Sequence, residues 1–142
     1  MRNPFALSIL LWLPCAVSAD EKGIDFFENR IRPILVKQCY RCHSTEAEAK
    51  KRLKGNLYLD SKAGMLKGGD TGPAVVPNDV RKSLILTALR HENKAFEMPP
   101  KGKLDDRIIA DFAKWIEMGA PDPREKQLAK KKYEIDLEAG RK

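Results

Sequence analysis

The sequence predicts an all-α domain, on three observations. Apolar residues recur at helical spacing in three separate segments, near residues 23–39, 78–91 and 104–119, with charged residues on their opposite faces. No convincing strand ladder and no internal repeat runs along the chain. The connections between the segments carry the Gly, Pro, Asn and Asp of turns.

The first residues, MRNPFALSILLWLPCAVSAD, have the layout of a secretory signal: Arg2, an apolar run from Phe5 to Leu13, Pro14, then small residues at Val17, Ser18 and Ala19. Cleavage is expected between Ala19 and Asp20. The apolar run is shorter than the ~20 residues that cross a bilayer, so an exported chain without a transmembrane anchor is expected, periplasmic or otherwise outside the cytoplasm. Cys15 leaves with this peptide, since Leu13 and Pro14 before it make a poor lipidation signal. The organisation read from the sequence is a signal at 1–19, one domain at 20–122 and a charged tail or linker at 123–142.

The whole chain carries a formal charge of +7. Removal of the signal takes away Arg2 alone among the charged residues. The surplus is moderate, which fits a solvated surface or attraction to acidic partners or an anionic membrane. It carries no basic-aromatic stripe, so nucleic-acid binding is not expected. One domain of this size gains from a metal, a disulfide or a buried cofactor in closing its core.

The first amphipathic segment holds Ile24, Phe27, Ile31, Ile34 and Leu35 on one face. Pro33 predicts a kink or break near residues 31–34. Beyond Ser44 the periodicity dissolves. EAEAKKRLK is expected to form a helical turn, GNLYLDS a short extended segment through Leu57 and Leu59, and KGGDTGPAVVPND a loop. Order returns with Asn78 or Asp79 as N-cap and an apolar stripe of Val80, Leu84, Ile85, Ala88 and Leu89. ENKAFEMPPKGK is a loop stiffened by Pro99 and Pro100. The last helix is capped by Asp105 or Asp106, turns Ile108, Ile109, Phe112, Trp115 and Ile116 inward, and stops at Gly119.

The chemistry concentrates in QCYRCHSTEA, where Cys39 and Cys42 stand three residues apart and His43 follows. A thioredoxin-like pair expects a βαβ setting and a helix amino end, which this stretch lacks. Zinc wants four ligands; Cys39, Cys42, His43 and His91 make four on paper, but Cys42 and His43 are adjacent and no second paired motif exists. A Cys39–Cys42 disulfide closes too short a loop to stabilise much. Covalent haem uses every part of the stretch: two thioethers from the thiols and an axial imidazole from His43. For the sixth iron position the candidates are Met98, Met65, Met118 and His91. Met98 has the best setting, because the prolines after it lower the entropy cost of holding a thioether in place. Met65 reads as a loop residue able to pack on the porphyrin edge, Met118 as core or surface filler, and His91 as a helix-end cation or hydrogen-bonding group.

In order along the chain, Gly23, Phe27, Cys39, Cys42, His43, Thr71-Gly72-Pro73, Met98-Pro99-Pro100 and Trp115 resemble the motifs of small class I cytochromes c. More specifically, FFENRIRPILVKQCYRCH, GNLYLDSKAGMLKGGDTGPAVVP, SLILTALRH, EMPPKGKL and WIEMGAPDPR resemble the planctomycete-type cytochrome c domain. That resemblance implies a small class I-like cytochrome c fold with a long ordered loop between the haem-attachment helix and the following helix. It implies first and last helices that cross through Phe27 and Trp115, one haem c bound through Cys39 and Cys42, and His43 and Met98 as axial ligands. It also implies that the Pro73 carbonyl accepts a hydrogen bond from the other ring nitrogen of His43. The function expected is one-electron transfer, not enzymatic catalysis. The apolar pocket is expected from Ile34, Leu35, Leu57, Leu59, Val75, Val76, Leu84 and Leu89. Arg41, Lys50, Lys51, Arg52 and Lys54 are expected to steer an acidic redox partner. The rival readings are a haem enzyme or gas- or peroxide-binding domain with a displaceable sixth ligand, and a haem module of a larger periplasmic assembly. Family members usually continue into large carboxy-terminal domains, so a chain ending at Lys142 reads as a stand-alone carrier or a separated fragment.

Overall fold

The first amphipathic segment forms one uninterrupted helical run in a computed structural model that describes residues 19–124. Its parts are α1 (Ala19–Phe26), a π-helical turn (Phe27–Ile31), α2 (Arg32–Ile34) and a second π-helical turn (Leu35–Cys39). Gly23, Phe27, Ile31 and Leu35, every fourth residue, are buried. That repeat exceeds the 3.6 residues of an α-helical turn, so an ordinary α-helix would rotate the stripe away from the core. The wider π turns keep it aligned. Of the kink or break expected near residues 31–34, a break does not occur at Pro33, for a related reason. The carbonyl its ring would meet, that of Asn29, lies in the first widened turn, where the Arg32 amide donates to the Phe27 carbonyl instead.

The last helix of the domain runs across this segment. In α6 (Asp106–Glu117) the Asp105 carboxylate caps the first turn, accepting from the Arg107 amide at 2.8 Å. Ile109, Phe112, Trp115 and Ile116 are buried, Ile108 is half-buried against the core, and Gly119 ends the helix at φ +90°. The Phe27 and Trp115 rings meet at a 37° tilt with 5.6 Å between centroids, and Phe112 meets Trp115 edge-on at 6.3 Å. The crossing is therefore the one expected. Gly23 allows its close approach, since a Cβ there would lie 2.5 Å from Pro121 Cγ. The Trp115 indole donates to the Pro121 carbonyl at 2.9 Å, and Arg30 pairs with Asp111 at 2.9 Å on the surface.

The long connection expected to be a loop carries two short helices. In α3 (Thr45–Ala49) the Ser44 hydroxyl accepts from the Ala47 amide at 3.0 Å, which realises the helical turn read in EAEAKKRLK somewhat earlier than expected. The second, α4 (Lys62–Lys67), was not expected: Ser61 caps it, and Gly64 in its middle hides it from propensity. Gly64 is there for space, because a Cβ would come within 2.5 Å of the Tyr58 carbonyl. The extended segment read in GNLYLDS forms no strand; among the described residues the β pairing is one isolated bridge, Gly69 with Gly72.

The second amphipathic segment is shorter than its stripe implies. Helix α5 (Leu84–Leu89) starts after Ser83, not after Asn78 or Asp79. Asp79 instead accepts from the amides of Arg81 and Lys82 at 3.1 and 3.0 Å, closing a turn. Ser83, fully buried, accepts from the Val76 amide at 2.9 Å and donates to the Asp79 carbonyl at 2.8 Å. These bonds use the backbone that a longer helix would need. A 3₁₀ turn (Lys94–Phe96) follows in the Met98 loop.

The packed body also extends past the boundary read at 122. Arg124, assigned to the tail, is 5% exposed and lies in the core. The rest of the expected tail and the expected signal peptide lie outside the described residues.

Candidate functional site

The second π turn ends at Cys39, and one tight turn then gathers the three motif residues. The Cys42 and His43 amides both donate to the Cys39 carbonyl, at 3.1 and 3.0 Å. This turn is held from outside at two further points: the Lys54 amide donates to the Cys42 carbonyl at 3.0 Å, and the Leu59 amide to the His43 carbonyl at 2.9 Å. Residues 54–59 are thus a backbone brace for the motif.

Both thiols are free and half-buried. Burial pushes the Cys39 thiol up to about 12, so it holds its proton at neutral pH. A protonated, shielded thiol is a poor nucleophile, which speaks against exchange chemistry here. Among the described residues no group of three or more His, Cys, Asp and Glu side chains is placed to hold a metal ion. His43 is half-buried, and burial lowers its pKa; backbone hydrogen bonding at Leu57 and Lys54 offsets part of that. Its Nδ1 is buried with no hydrogen-bond partner. A neutral imidazole with an unused buried nitrogen is an orphan that asks for an explanation. With two free thiols in the same turn, the donor set fits covalent haem.

His43 Nδ1 makes no hydrogen bond to the Pro73 carbonyl, having no partner at all. Pro73 instead follows a closed turn in which the Gly69 amide donates to the Gly72 carbonyl at 3.2 Å and the Gly72 amide to the Gly69 carbonyl at 3.1 Å. Gly68, at φ +75°, permits this turn: a Cβ would lie 1.8 Å from the Gly72 carbonyl oxygen and 2.5 Å from Pro73 Cα. The next two residues are bound elsewhere, the Ala74 and Val75 amides both donating to the Met65 carbonyl. These bonds hold the loop to α4.

Met98 stands on a loop fixed to the end of α5. Its amide donates to the Ala88 carbonyl at 3.1 Å, and its own carbonyl pairs with His91 Nε2 at 3.2 Å. His91 therefore spends a ring nitrogen on positioning the Met98 backbone. Met65 is on α4 and fully buried, with its sulfur 3.7 Å from Arg124 Nη2, which corrects its reading as a loop residue at a porphyrin edge. Met118 is 40% exposed at the end of α6. An open hollow of about 580 Å³ is lined by His91, Phe96, Met98 and Pro99 with Lys94, Lys101 and Lys103. Cys39, Cys42 and His43 do not line this hollow.

Of the expected pocket residues, Leu35, Leu59, Val75 and Leu89 are buried in the core, Ile34 and Leu57 pack against it half-buried, and Val76 and Leu84 are half-exposed. Arg41, Lys50, Lys51, Arg52 and Lys54 are all exposed, with Lys50 paired to Glu46.

Arg124 is the participant that sequence reasoning missed, although the quoted WIEMGAPDPR ends on it. Its guanidinium pairs with Asp122, lies 5.0 Å from the Phe27 ring centre and donates to the Tyr40 hydroxyl at 2.7 Å and the Leu59 carbonyl at 2.8 Å. Tyr40 sits between the two cysteines. Burial raises its pKa above 10.0, opposed by Arg124 and Arg32 and reinforced by Asp60 and Asp122. The fold thus favours the protonated phenol, and the associated stability is present below 10.0 and lost as pH rises beyond it. The expected result is a tyrosinate absorbance titration in which Tyr40 ionises above the unfolded chain's tyrosines; ionisation together with them would contradict this burial.

A helical domain built around a turn of two free thiols and a histidine has the character of a c-type cytochrome. Residues 39–102 match the family model described as Planctomycete cytochrome C, so this stretch of the chain is similar to that family. No curated protein and no solved structure matches it significantly. The family implies covalent haem c and electron transfer. Among the described residues no helix is long and apolar enough to cross a membrane.

Proposed function

We propose that the chain is a one-electron carrier of an exported compartment, holding one haem c through Cys39 and Cys42 with His43 and Met98 as axial ligands. The observation that carries this reading is the single turn presenting two free thiols and a neutral imidazole with an unused buried nitrogen. When bound, the haem supplies a one-electron couple whose potential a thioether ligand raises. The chain's own residues do the rest. The brace at 54–59 holds His43 in place, His91 and Ala88 hold the Met98 backbone, and the apolar residues around Leu35 and Leu59 exclude water. Arg41, Lys51, Arg52 and Lys54 face solvent near the turn and suit an acidic redox partner; association slowed by added salt is the behaviour expected of it.

One observation favours the rival of a displaceable sixth ligand: the hollow beside Met98 is open. Oxidised and reduced visible spectra of the exported protein decide between them. The wild type should be low-spin and refuse carbon monoxide, and Met98→Ala alone should lose the low-spin signature. His91→Ala should leave the ligand set unchanged. Rapid carbon monoxide binding by the wild type would replace the carrier with the gas- or peroxide-binding reading, and loss of the signature only in His91→Ala would overturn Met98.

A further inference from the structure

We propose that Arg124 is a positioning residue for the haem-attachment turn, a role that rests on the reading of Cys39, Cys42 and His43 given above. A guanidinium this deeply buried is costly unless every donor is satisfied. Here the donors divide into two groups with different consequences. Nε and Nη2 serve charge neutralisation: Nε lies 2.8 and 2.9 Å from the Asp122 carboxylate oxygens, and Nη2 also reaches Asp122. Nη1 serves the site. It donates to the Tyr40 hydroxyl at 2.7 Å and to the Leu59 carbonyl at 2.8 Å.

Both acceptors lie one step from the motif. Tyr40 is the residue after Cys39, and its amide donates to the Leu35 carbonyl at 3.0 Å, so its backbone closes the second π turn. Leu59 holds the His43 carbonyl through its amide. One nitrogen therefore restrains the residue between the thiols and the residue that fixes the backbone of the axial histidine. The Phe27 ring lies 5.0 Å from the guanidinium carbon on the line of the helix crossing, so the position of Arg124 is set by the core itself. Neutralising the guanidinium would need only Asp122. The planar fork that holds Asp122 through Nε and Nη2 while Nη1 reaches Tyr40 and Leu59 is a property of arginine that lysine does not share.

The test uses the full-length haem-loaded chain with Tyr40→Phe, Arg124→Lys and the surface control Lys82→Gln, followed by amide hydrogen exchange at His43 and Leu59 and by midpoint potential. Tyr40→Phe removes one charge-assisted bond and should retain the fold. It is expected to speed exchange at His43 and Leu59 by about tenfold. Arg124→Lys is expected to do at least as much, and both should move the ferric-to-ferrous ratio at fixed potential by severalfold while Lys82→Gln changes neither. Exchange and potential at wild-type values in Tyr40→Phe, with only the melting temperature lowered, would overturn the proposal and leave Arg124 a core ion pair. If the wild type carries no covalent haem, the site reading fails. Exchange on the same chains then still decides whether Arg124 restrains the turn.

Discussion

Trp115→Ala is expected to remove most of the domain's stability. The indole is fully buried, packed at a tilt against Phe27, met edge-on by Phe112 and bonded to the Pro121 carbonyl. Truncating such a side chain costs about 3–5 kcal/mol, against about 5–15 kcal/mol for a whole domain. The loss should exceed that of an ordinary core leucine because three structures meet at this ring: the first helical run, α6 and the chain turning back at Pro121. Trp115→Phe keeps a ring against Phe27 but strands the Pro121 carbonyl, so a smaller loss of about 1–3 kcal/mol is expected. Val36→Ala, at a side chain 53% exposed, should stay within about 0.5 kcal/mol of the wild type. Denaturant titrations followed by far-UV circular dichroism measure all three. A cost for Trp115→Ala below about 1 kcal/mol would mean that the helices do not cross through this ring.

The helical stripes and the thiol turn were legible in the sequence because local rules govern both, whereas the crossing of the helices was implied by the resemblance alone. Phe27 and Trp115 belong to amphipathic stripes, and the spacing of Cys39, Cys42 and His43 states its chemistry directly. Pro33 misled for an instructive reason: a proline argues for a break only if the ladder before it is α-helical, and the four-residue repeat of Gly23, Phe27, Ile31 and Leu35 was the available sign that it is not. Helix α5 began late because Asp79 and Ser83 close a turn through side-chain bonds to nearby backbone, and nothing in a hydrophobic stripe records such bonds. The same holds for Pro73, whose surroundings depend on how Gly68 and Gly72 fold onto each other. Arg124 was invisible in the stronger sense. An arginine in a run of charges reads as solvated, and only the tertiary fold shows that Asp122, Tyr40 and Leu59 surround it. Sequence thus displayed the groups that do the chemistry, while the groups that hold them in place required the fold.

That division makes Asp122→Ala the second large effect. The Asp122 side chain is fully buried and that of Arg124 nearly so, at 0% and 6% exposure. Removing the carboxylate leaves a guanidinium that cannot give up its proton and, among the described residues, has no other carboxylate hydrogen-bonded to it. Breaking one side of a buried pair in this way costs about 3–5 kcal/mol, as much as losing the Trp115 ring. The cause can be separated from simple cavity formation. If the isolated charge is responsible, then Asp122→Leu combined with Arg124→Met should be markedly more stable than the sum of the two single losses predicts, with a coupling of about 2–3 kcal/mol. Full recovery is not expected, because Tyr40 and the Leu59 carbonyl lose their donor and each stranded group costs about 1–3 kcal/mol. Urea unfolding of the four chains in a double-mutant cycle measures the coupling. Strict additivity would show that Asp122 and Arg124 do not act as a pair.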